Sequence, residues 1–387
     1  MRITPEQRRA RLGRRHLLTS GARAATTEEV ARTLVGLHAT DAASVTLSAR
    51  ARLRDPSPQD VERALYEDRT LLRMHCMRRT LFAVPTELAP VFHFSTAQAV
   101  AARERAAILK RLTAADPDWD ADWLAAAEEA ALEAVGRLGE PSLTDLLAEV
   151  PVLRESVTIS PGKPYESRQR VGGWVLRLLA MDGRIRRGRP LGGWSSSQFR
   201  YGVAPELAPM DVAEAKAEVV RSWLACYGPG TTTDLKWWTG WTVADVRAAL
   251  ERVGAAEVAL AEGAGWTLPG DADAPPESAD EPWAALLPGL DPATMGWKQR
   301  DWYLDPALVP LLFDTAGNGG PAVWFNGEIV GAWAQRRDGE VVWRLLADRG
   351  AEARRTVEAE AARLQSWLAE HRLVVSFPAP LSKELTA

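Results

Sequence analysis

The stretch Leu71-Leu-Arg-Met-His-Cys-Met77-Arg78-Arg79-Thr80-Leu-Phe-Ala-Val84 sets two apolar runs on either side of a pair of arginines. Runs rich in apolar residues and separated by a short polar break predict strands over Leu71 to Met77 and Thr80 to Val84, joined by a basic tip. Upstream, the sequence predicts three helices. The first covers Pro5 to Leu18. The second covers Thr27 to Leu37, with Thr26 and Thr27 as cap candidates, Glu28 and Glu29 in the first turn, and Val30, Leu34 and Leu37 on one face. The third runs from Pro58, a suitable first-turn proline, to Tyr66.

Three helices followed by a basic hairpin outline a winged helix, and the outline recurs twice downstream. In the second segment a helix around Ala125 to Arg137 precedes the N-cap candidate Ser142, and another spans Ser167 to Met181. Asp182-Gly183 then turns the chain into an arginine-rich strand or wing. The third segment predicts helices over Val212 to Cys226, Thr232 to Thr239 and Val243 to Val253, again with strands afterwards. No fixed-period repeat is visible, so the repetition is one of architecture. From Trp283 the texture changes to strands at Val323 to Phe325, Glu328 to Trp333 and Val341 to Leu346, with Asn326-Gly327 and Asp338-Gly339 as hairpin turns. A helix over Glu352 to His371 and a strand over Leu373 to Phe377 follow. The expected divisions are 1–120, 121–208, 209–282 and 283–387.

A length of 387 residues, 46% of them hydrophobic and 25% charged, describes an ordinary globular chain of two or three domains or more. No apolar run is long enough to span a bilayer, and no apolar stretch follows the basic N-terminus as in a signal peptide. The expected location is therefore the cytoplasm. Cys76 and Cys226 stand in separate segments, which argues against a disulfide framework or a cysteine zinc site. The net charge of -4 excludes a protein that coats nucleic acid over its whole surface. Charge is nonetheless segregated. Between Arg154 and Arg200 ten basic residues face three acidic ones, a footprint for phosphates, whereas Glu262 to Glu281 carries only acidic charge and reads as a linker or hairpin tip.

Chemistry-bearing residues concentrate in Leu34-Val-Gly-Leu-His38-Ala-Thr40-Asp41, where the second helix is expected to deliver His38 and Thr40 at its end. The chain lacks a His-Glu-x-x-His pair, a Walker loop, a Gly-x-Ser-x-Gly elbow and a Rossmann fingerprint, and implies neither a metal nor a cofactor. Gly317-Asn-Gly-Gly320 reads as a loop before a strand. His16, His75, His93 and His371 read as structural residues. Most of the sixteen tryptophans read as packing, with Trp194 and Gln198 of the basic segment as candidates for nucleic-acid contact.

Several stretches together resemble the bacterial winged-helix DNA glycosylases. They are Gly36-Leu-His38-Ala-Thr40-Asp41 with Met77-Arg-Arg-Thr80-Leu, and Trp223-Leu-Ala-Cys-Tyr227-Gly-Pro229 with Thr233-Asp234-Leu-Lys-Trp-Trp-Thr-Gly240. Leu286-Leu-Pro288-Gly-Leu-Asp291 with Arg300-Asp301, and Gly327-Glu-Ile-Val-Gly331-Ala-Trp333, complete the set. The resemblance implies an α+β fold of three tandem winged-helix units arranged as a C, plus a C-terminal β domain, gripping duplex DNA. It also implies a monofunctional glycosylase that releases bulky, alkylated or crosslinked purines, in some members as self-resistance beside genotoxin biosynthesis. Where that family carries Gln-x-Gln or Gln-x-Asp, this chain has His38 and Thr40. Where the family has Arg-Gly-Thr-Leu-His, it has Arg78-Arg79-Thr80-Leu81-Phe82.

An N7-alkylated purine is already a cationic leaving group, so the remaining tasks are to place a water and to stabilise an oxocarbenium ion. His38 is expected to act as base and Thr40 to hold the water or the sugar. Asp41 is expected either to supply negative charge or to cap the next segment. Arg78 and Arg79 at the first wing, and Lys163, Arg184, Arg186, Arg187 and Arg189 in the basic segment, are the expected DNA contacts. The alternative is a noncatalytic winged-helix DNA-binding protein, a lesion sensor or transcription regulator. Either way the expected partner is duplex DNA, with no membrane and no obligate protein partner.

Overall fold

The computed structural model describes residues 1–271 and 281–387. Helix α1 (Pro5–Arg15) starts in a capping box in which Thr4 accepts from Gln7 N and the Gln7 side chain accepts from Thr4 N. Helix α2 (Thr27–Thr33), strand β1 (Leu37–His38), helix α3 (Ala42–Arg50), helix α4 (Pro58–Glu62, continued by a wider turn to Glu67), strand β2 (Leu71–His75) and strand β3 (Leu81–Pro85) follow. The three strands form one sheet in the order β1-β3-β2, so His38 lies opposite Phe82 and Leu37 opposite Ala83.

Two expectations change here. The helix expected to reach Leu37 stops at Thr33, because Val35 (φ 56°) and Gly36 (φ 96°) turn the chain back into β1. Leu34 and Leu37 are both fully buried on either side of that turn, so the apolar spacing that suggested one helix is the spacing of a helix end plus a strand. A Cβ at Gly36 would also meet Val84 Cγ1 at 3.0 Å and Phe82 Cδ1 at 3.2 Å, so both conformation and close approach require glycine. Strand β2 ends at His75 rather than Met77. A tight helical turn, Met77–Arg79, forms the tip, with Arg78 and Arg79 both left-handed at φ 52° and 65°.

The second segment opens with helix α5 (Gln98–Ala115), which sequence reading misses because only Val100, Ala101, Ile108 and Leu112 are buried along its 18 residues. Helix α6 (Ala121–Leu138) begins where Asp120 caps Trp123 N, and helix α7 (Leu143–Glu149) begins in a Ser142–Asp145 capping box. Strands β4 (Ser156–Ile159) and β5 (Ser167–Arg170) pair as a hairpin, so the helix expected from Ser167 starts instead at Val171 as α8 (Val171–Met181). Strands β6 (Ile185–Pro190) and β7 (Phe199–Val203) form the arginine-rich wing, with Asp182-Gly183 leading into it.

The third segment matches its expected helices closely: α9 (Val212–Tyr227), α10 (Thr232–Thr239) and α11 (Val243–Val253). Thr231 and Thr242 each close a capping box, and Gly240 and Gly254 close the two helices in left-handed geometry. The hairpin β8 (Ala256–Leu260) and β9 (Gly263–Thr267) puts Glu262 at its tip. The rest of the acidic stretch, including Pro275-Pro276, lies outside the described residues.

Beyond it, β10 (Ala284–Leu287), β11 (Ala322–Phe325), β12 (Glu328–Gln335) and β13 (Val341–Leu345) make a four-stranded antiparallel sheet in that order. Helix α12 (Gly350–Leu368) packs on it, and helix α13 (Pro380–Thr386) follows. Leu373 to Phe377 forms no strand. It is held instead by side chains: Leu373 N donates to Gln335 Oε1, and Ser376 Oγ donates to Asp41 Oδ1.

Cores divide unevenly. Residues 108–185 close a core of their own, whereas residues 12–92, 217–253 and 283–385 contribute to a single continuous one. That shared core contains a salt bridge sealed from water. Arg52 Nη1 and Nη2 donate to Asp291 Oδ2 and Oδ1 at 2.8 and 2.7 Å, Ser48 Oγ adds a bond of 2.7 Å, and both ions are fully buried. It pins the Leu286-Leu-Pro-Gly-Leu-Asp291 motif to the end of α3. Tryptophans 223, 297, 324 and 333 are buried, as packing residues should be. No helix among the described residues is long and apolar enough to cross a membrane.

Candidate functional site

His38 is placed by its neighbours in three dimensions rather than by a helix. The Tyr227 hydroxyl, from the Tyr-Gly-Pro motif at the end of α9, donates to the Leu34 carbonyl at 2.8 Å and fixes the turn that launches β1. On the other side, Arg73 in β2 donates from Nε to the Ala39 carbonyl at 3.0 Å and from Nη2 to the same oxygen. Ala39 N donates to Leu81 O, and Leu81 N donates to Thr40 Oγ1 at 3.3 Å. The segment His38-Ala39-Thr40 is thereby clamped on both edges.

The imidazole of His38 packs 5.1 Å from the Phe82 ring and is only 6% exposed. Its Nδ1 is buried without a hydrogen-bond partner. Burial pushes its pKa down to about 3, with the charges of Arg78 and then Arg73 acting in the same direction. His38 is therefore neutral at any physiological pH and offers one donor and one acceptor. Asp41 is fully engaged. Its Oδ2 caps α3 through Ser44 N and Ser44 Oγ at 3.2 and 2.9 Å, and its Oδ1 takes Ser376 Oγ at 2.6 Å. Of the two roles open to Asp41 in the sequence, capping is the one its geometry displays.

Around His38 runs a chain of arginines whose charges act on one another: Arg300 on Arg78, Arg78 and Arg73 on His38, and Arg73 on Arg187. Among the described residues none of the four has a carboxylate within salt-bridge distance. Arg78 lies 4.1 Å over the Trp237 ring and Arg187 lies 3.9 Å over Phe199. Burial first, and a neighbouring arginine second, pushes Arg78 and Arg187 each down to about 10. Arg78, Arg187 and Arg300, half-buried and lacking counter-ions, form a site that favours an anion, whereas Arg73 is buried against the Ala39 carbonyl and feels the Asp41 charge. Of the four, Arg73 and Arg300 escape a reading based on charge clusters. The available signal for Arg73 is a lone charged residue inside the apolar run Leu71-Leu-Arg-Met.

The other expected contacts are placed differently. Arg79 pairs with Glu104, and Arg184 pairs with Glu129 at 2.7 Å. Arg186 is buried and paired with Glu140 at 2.6 Å, and Arg189 pairs with Glu67 at 2.9 Å while lying over Tyr66. Trp194 is buried against Trp367 and His371, so in this conformation neither its ring nor the Arg186 guanidinium is presented outward. Lys163, between β4 and β5, and Gln198, just before β7, are exposed. His16, His75 and His93 are buried as structural residues, whereas His371 is exposed, its ring edge-on to Trp194. No group of residues among those described is arranged to hold a metal ion.

Comparison with known proteins bears on the family and the fold. The family model for AlkZ-like DNA glycosylases matches residues 31–367. Among solved structures, the Streptomyces sahachiroi DNA glycosylase AlkZ superposes with a TM-score of 0.70 at 20% identity, covering 98% of this chain and 99% of that one. No curated protein sequence matches the chain.

Proposed function

Because the chain belongs to the AlkZ-like DNA glycosylase family, we propose that it hydrolyses the N-glycosidic bond of bulky, alkylated or crosslinked purines carrying N7 adducts in duplex DNA. The observation that carries this reading is the neutral His38 set among four arginines that lack carboxylate partners. Arg78, Arg187 and Arg300 supply the charge that a phosphate backbone meets, Arg73 stays buried on the Ala39 carbonyl behind them, and exposed Lys163 and Gln198 extend that contact across the second unit. Three tandem winged-helix units and the C-terminal β domain form the cradle. Arg79, Arg184 and Arg189 join the interface when DNA replaces their acidic partners, and Arg186 and Trp194 hold the wing in place.

The chemistry follows from a cationic leaving group. As the C1′–N9 bond breaks, its electron pair leaves with the purine and neutralises the alkylated ring. A water oxygen then bonds C1′, and its surplus proton passes to solvent. With a pKa of about 3, His38 orients that water instead of deprotonating it in advance, and Thr40 Oγ1, already anchored on Leu81 N, provides a second contact. The phosphates drawn in by the arginines provide the negative charge that Asp41 does not. A cytoplasmic location and a monofunctional self-resistance role go with this reading.

One observation favours a second reading: Asp41, the carboxylate of the motif, is wholly committed to capping and to Ser376. That leaves a noncatalytic lesion binder as the alternative. The deciding experiment measures base release from duplexes carrying N7-methylguanine or a bulky N7-guanine crosslink. Release supports the glycosylase. Duplex binding without release from either substrate transfers the chain to the second reading.

A further inference from the structure

The loop after the Leu-Leu-Pro-Gly-Leu-Asp291 motif is tied to α10 by one buried carboxylate. Asp234 Oδ2 closes the capping box with Thr231, and its Oδ1 accepts from Lys298 N and Gln299 N, both at 2.9 Å. Asp234 is fully buried, so the tie is rigid. It sets Arg300, the next residue, beside Trp237, one turn further along α10. The guanidinium carbon of Arg300 lies 5.0 Å from the Trp237 ring centroid and 4.8 Å from that of Phe313.

Arg78, at the tip between β2 and β3, has its guanidinium carbon 4.1 Å from the same Trp237 centroid. Its backbone is held left-handed at φ 52°, a conformation unfavourable for a non-glycine residue. Gly240 makes room for it, since a Cβ there would stand 3.1 Å from Arg78 Cγ. Arg78 Nε, Arg300 Nε and Arg300 Nη2 are buried with no hydrogen-bond partner, while both side chains keep an exposed part. Neither has a carboxylate partner among the described residues. Tyr303, a neutral hydroxyl, is the polar side chain that faces Arg300. Two like charges share one aromatic platform, and each weakens the other unless an anion joins them.

We propose that Arg78 and Arg300, set over Trp237, form a seat for a single backbone phosphate of the DNA, beside the nucleotide presented to His38. The two guanidinium groups place unpaired donors beside one ring, and the phosphate supplies the absent counter-ion. The seat joins the first wing to the loop that follows β10, so its occupation fixes the DNA register relative to His38. This assignment rests on the reading that the ligand is duplex DNA, and it stands apart from whether base release occurs.

The test is a binding scan. Duplexes carry a 2′-fluoro N7-methylguanosine, whose glycosidic bond resists cleavage, and one neutral methylphosphonate linkage moved stepwise along either strand. In the wild type one linkage near the lesion should weaken binding about tenfold. In Arg300→Ala and in Arg78→Ala that same linkage should weaken binding less than twofold, while other linkages keep their effect. Each variant should also lower the slope of log affinity against log salt by about 0.9. Arg300→Lys, with its thermal midpoint measured alongside, controls for folding and should recover part of the coupling. If no linkage couples to either arginine while the duplex is bound, or if the two arginines couple to different linkages, the shared seat is overturned. Failure to bind duplex at all overturns both the seat and the proposed function. Absence of base release from the matching duplex without the 2′-fluorine, with coupling intact, removes only the glycosylase reading.

Discussion

The β2–β3 and β6–β7 hairpins are both rich in arginine and use it in opposite ways. On the β6–β7 wing and its approach, Arg184, Arg186 and Arg189 are matched to Glu129, Glu140 and Glu67. On the β2–β3 wing only Arg79 is matched, and Arg73 and Arg78, with Arg300 beyond, have no carboxylate partner among the described residues. Arg187 is the member of the β6–β7 group that behaves like the first wing: it stacks on Phe199 and is pushed down to about 10 by burial and by Arg73. What distinguishes an anion site from a charged surface is therefore the absence of a counter-ion under partial desolvation, not the local count of basic residues.

That contrast is most directly broken by neutralising the two sets separately. Replacing Arg78, Arg187 and Arg300 together by alanine should reduce duplex affinity by two to three orders of magnitude at moderate salt and lower the salt slope by about 2.7, read in a fluorescence titration series. The matched set sharpens the comparison through stability instead. Arg186→Leu leaves Glu140 with the more distant Arg69, at 3.8 Å, and denaturant unfolding should show a loss of about 1–2 kcal/mol with affinity changed far less. Arg184→Ala removes a pair exposed on both sides and should move stability by no more than about 1 kcal/mol.

The acid limb of stability separates the two regions in a further way. His38 and His75, both in the β1–β3–β2 sheet, are depressed by burial to about 3 and about 4, and His16, fully buried, is also lowered. Each binds a proton more readily when unfolded, so stability is full above pH 6.5 and falls as the pH drops toward the folded pKa. His38 and His75 should each cost about 2 kcal/mol by pH 5, with His16 acting in the same direction, read in denaturant unfolding at pH 7 and pH 5. The segment closed around residues 108–185 contains no histidine, so its amides should lose protection later in a hydrogen-exchange series.

Much of the fold was legible because its signals are local. Thr4, Thr26, Ser142, Thr231 and Thr242 announce helices with their own side chains, and Asn326-Gly327 announces its hairpin. Helix α5 was not legible because its apolar residues, mostly alanines, are spread round the helix without marking one face, nor was β1, whose two residues exist as a strand only through pairing with β3. The same divide runs through the site. His38 and Thr40 stand out by chemistry, but the burial that depresses His38, the engagement of Asp41 by Ser376, and the freedom of Arg78 against the pairing of Arg186 are tertiary facts. The substitution of Phe82 for the histidine that the family resemblance implies also gains meaning only in three dimensions. Phe82 lies against His38 on the neighbouring strand, a contact that the sequence does not announce.

The central claim is that His38, neutral and clamped on β1, directs water to the sugar of an N7-alkylated purine held by the unpaired arginines. It is tested by single-turnover base release from an N7-methylguanine duplex at saturating protein, comparing wild type with His38→Ala between pH 5 and pH 9. The account predicts release by the wild type with no inflection near pH 6.5, and a loss of at least a hundredfold in His38→Ala with duplex affinity within a few-fold. Equal release by the two proteins, or a wild-type profile that rises through an ionisation near 6.5 and is flattened in His38→Ala, would contradict it.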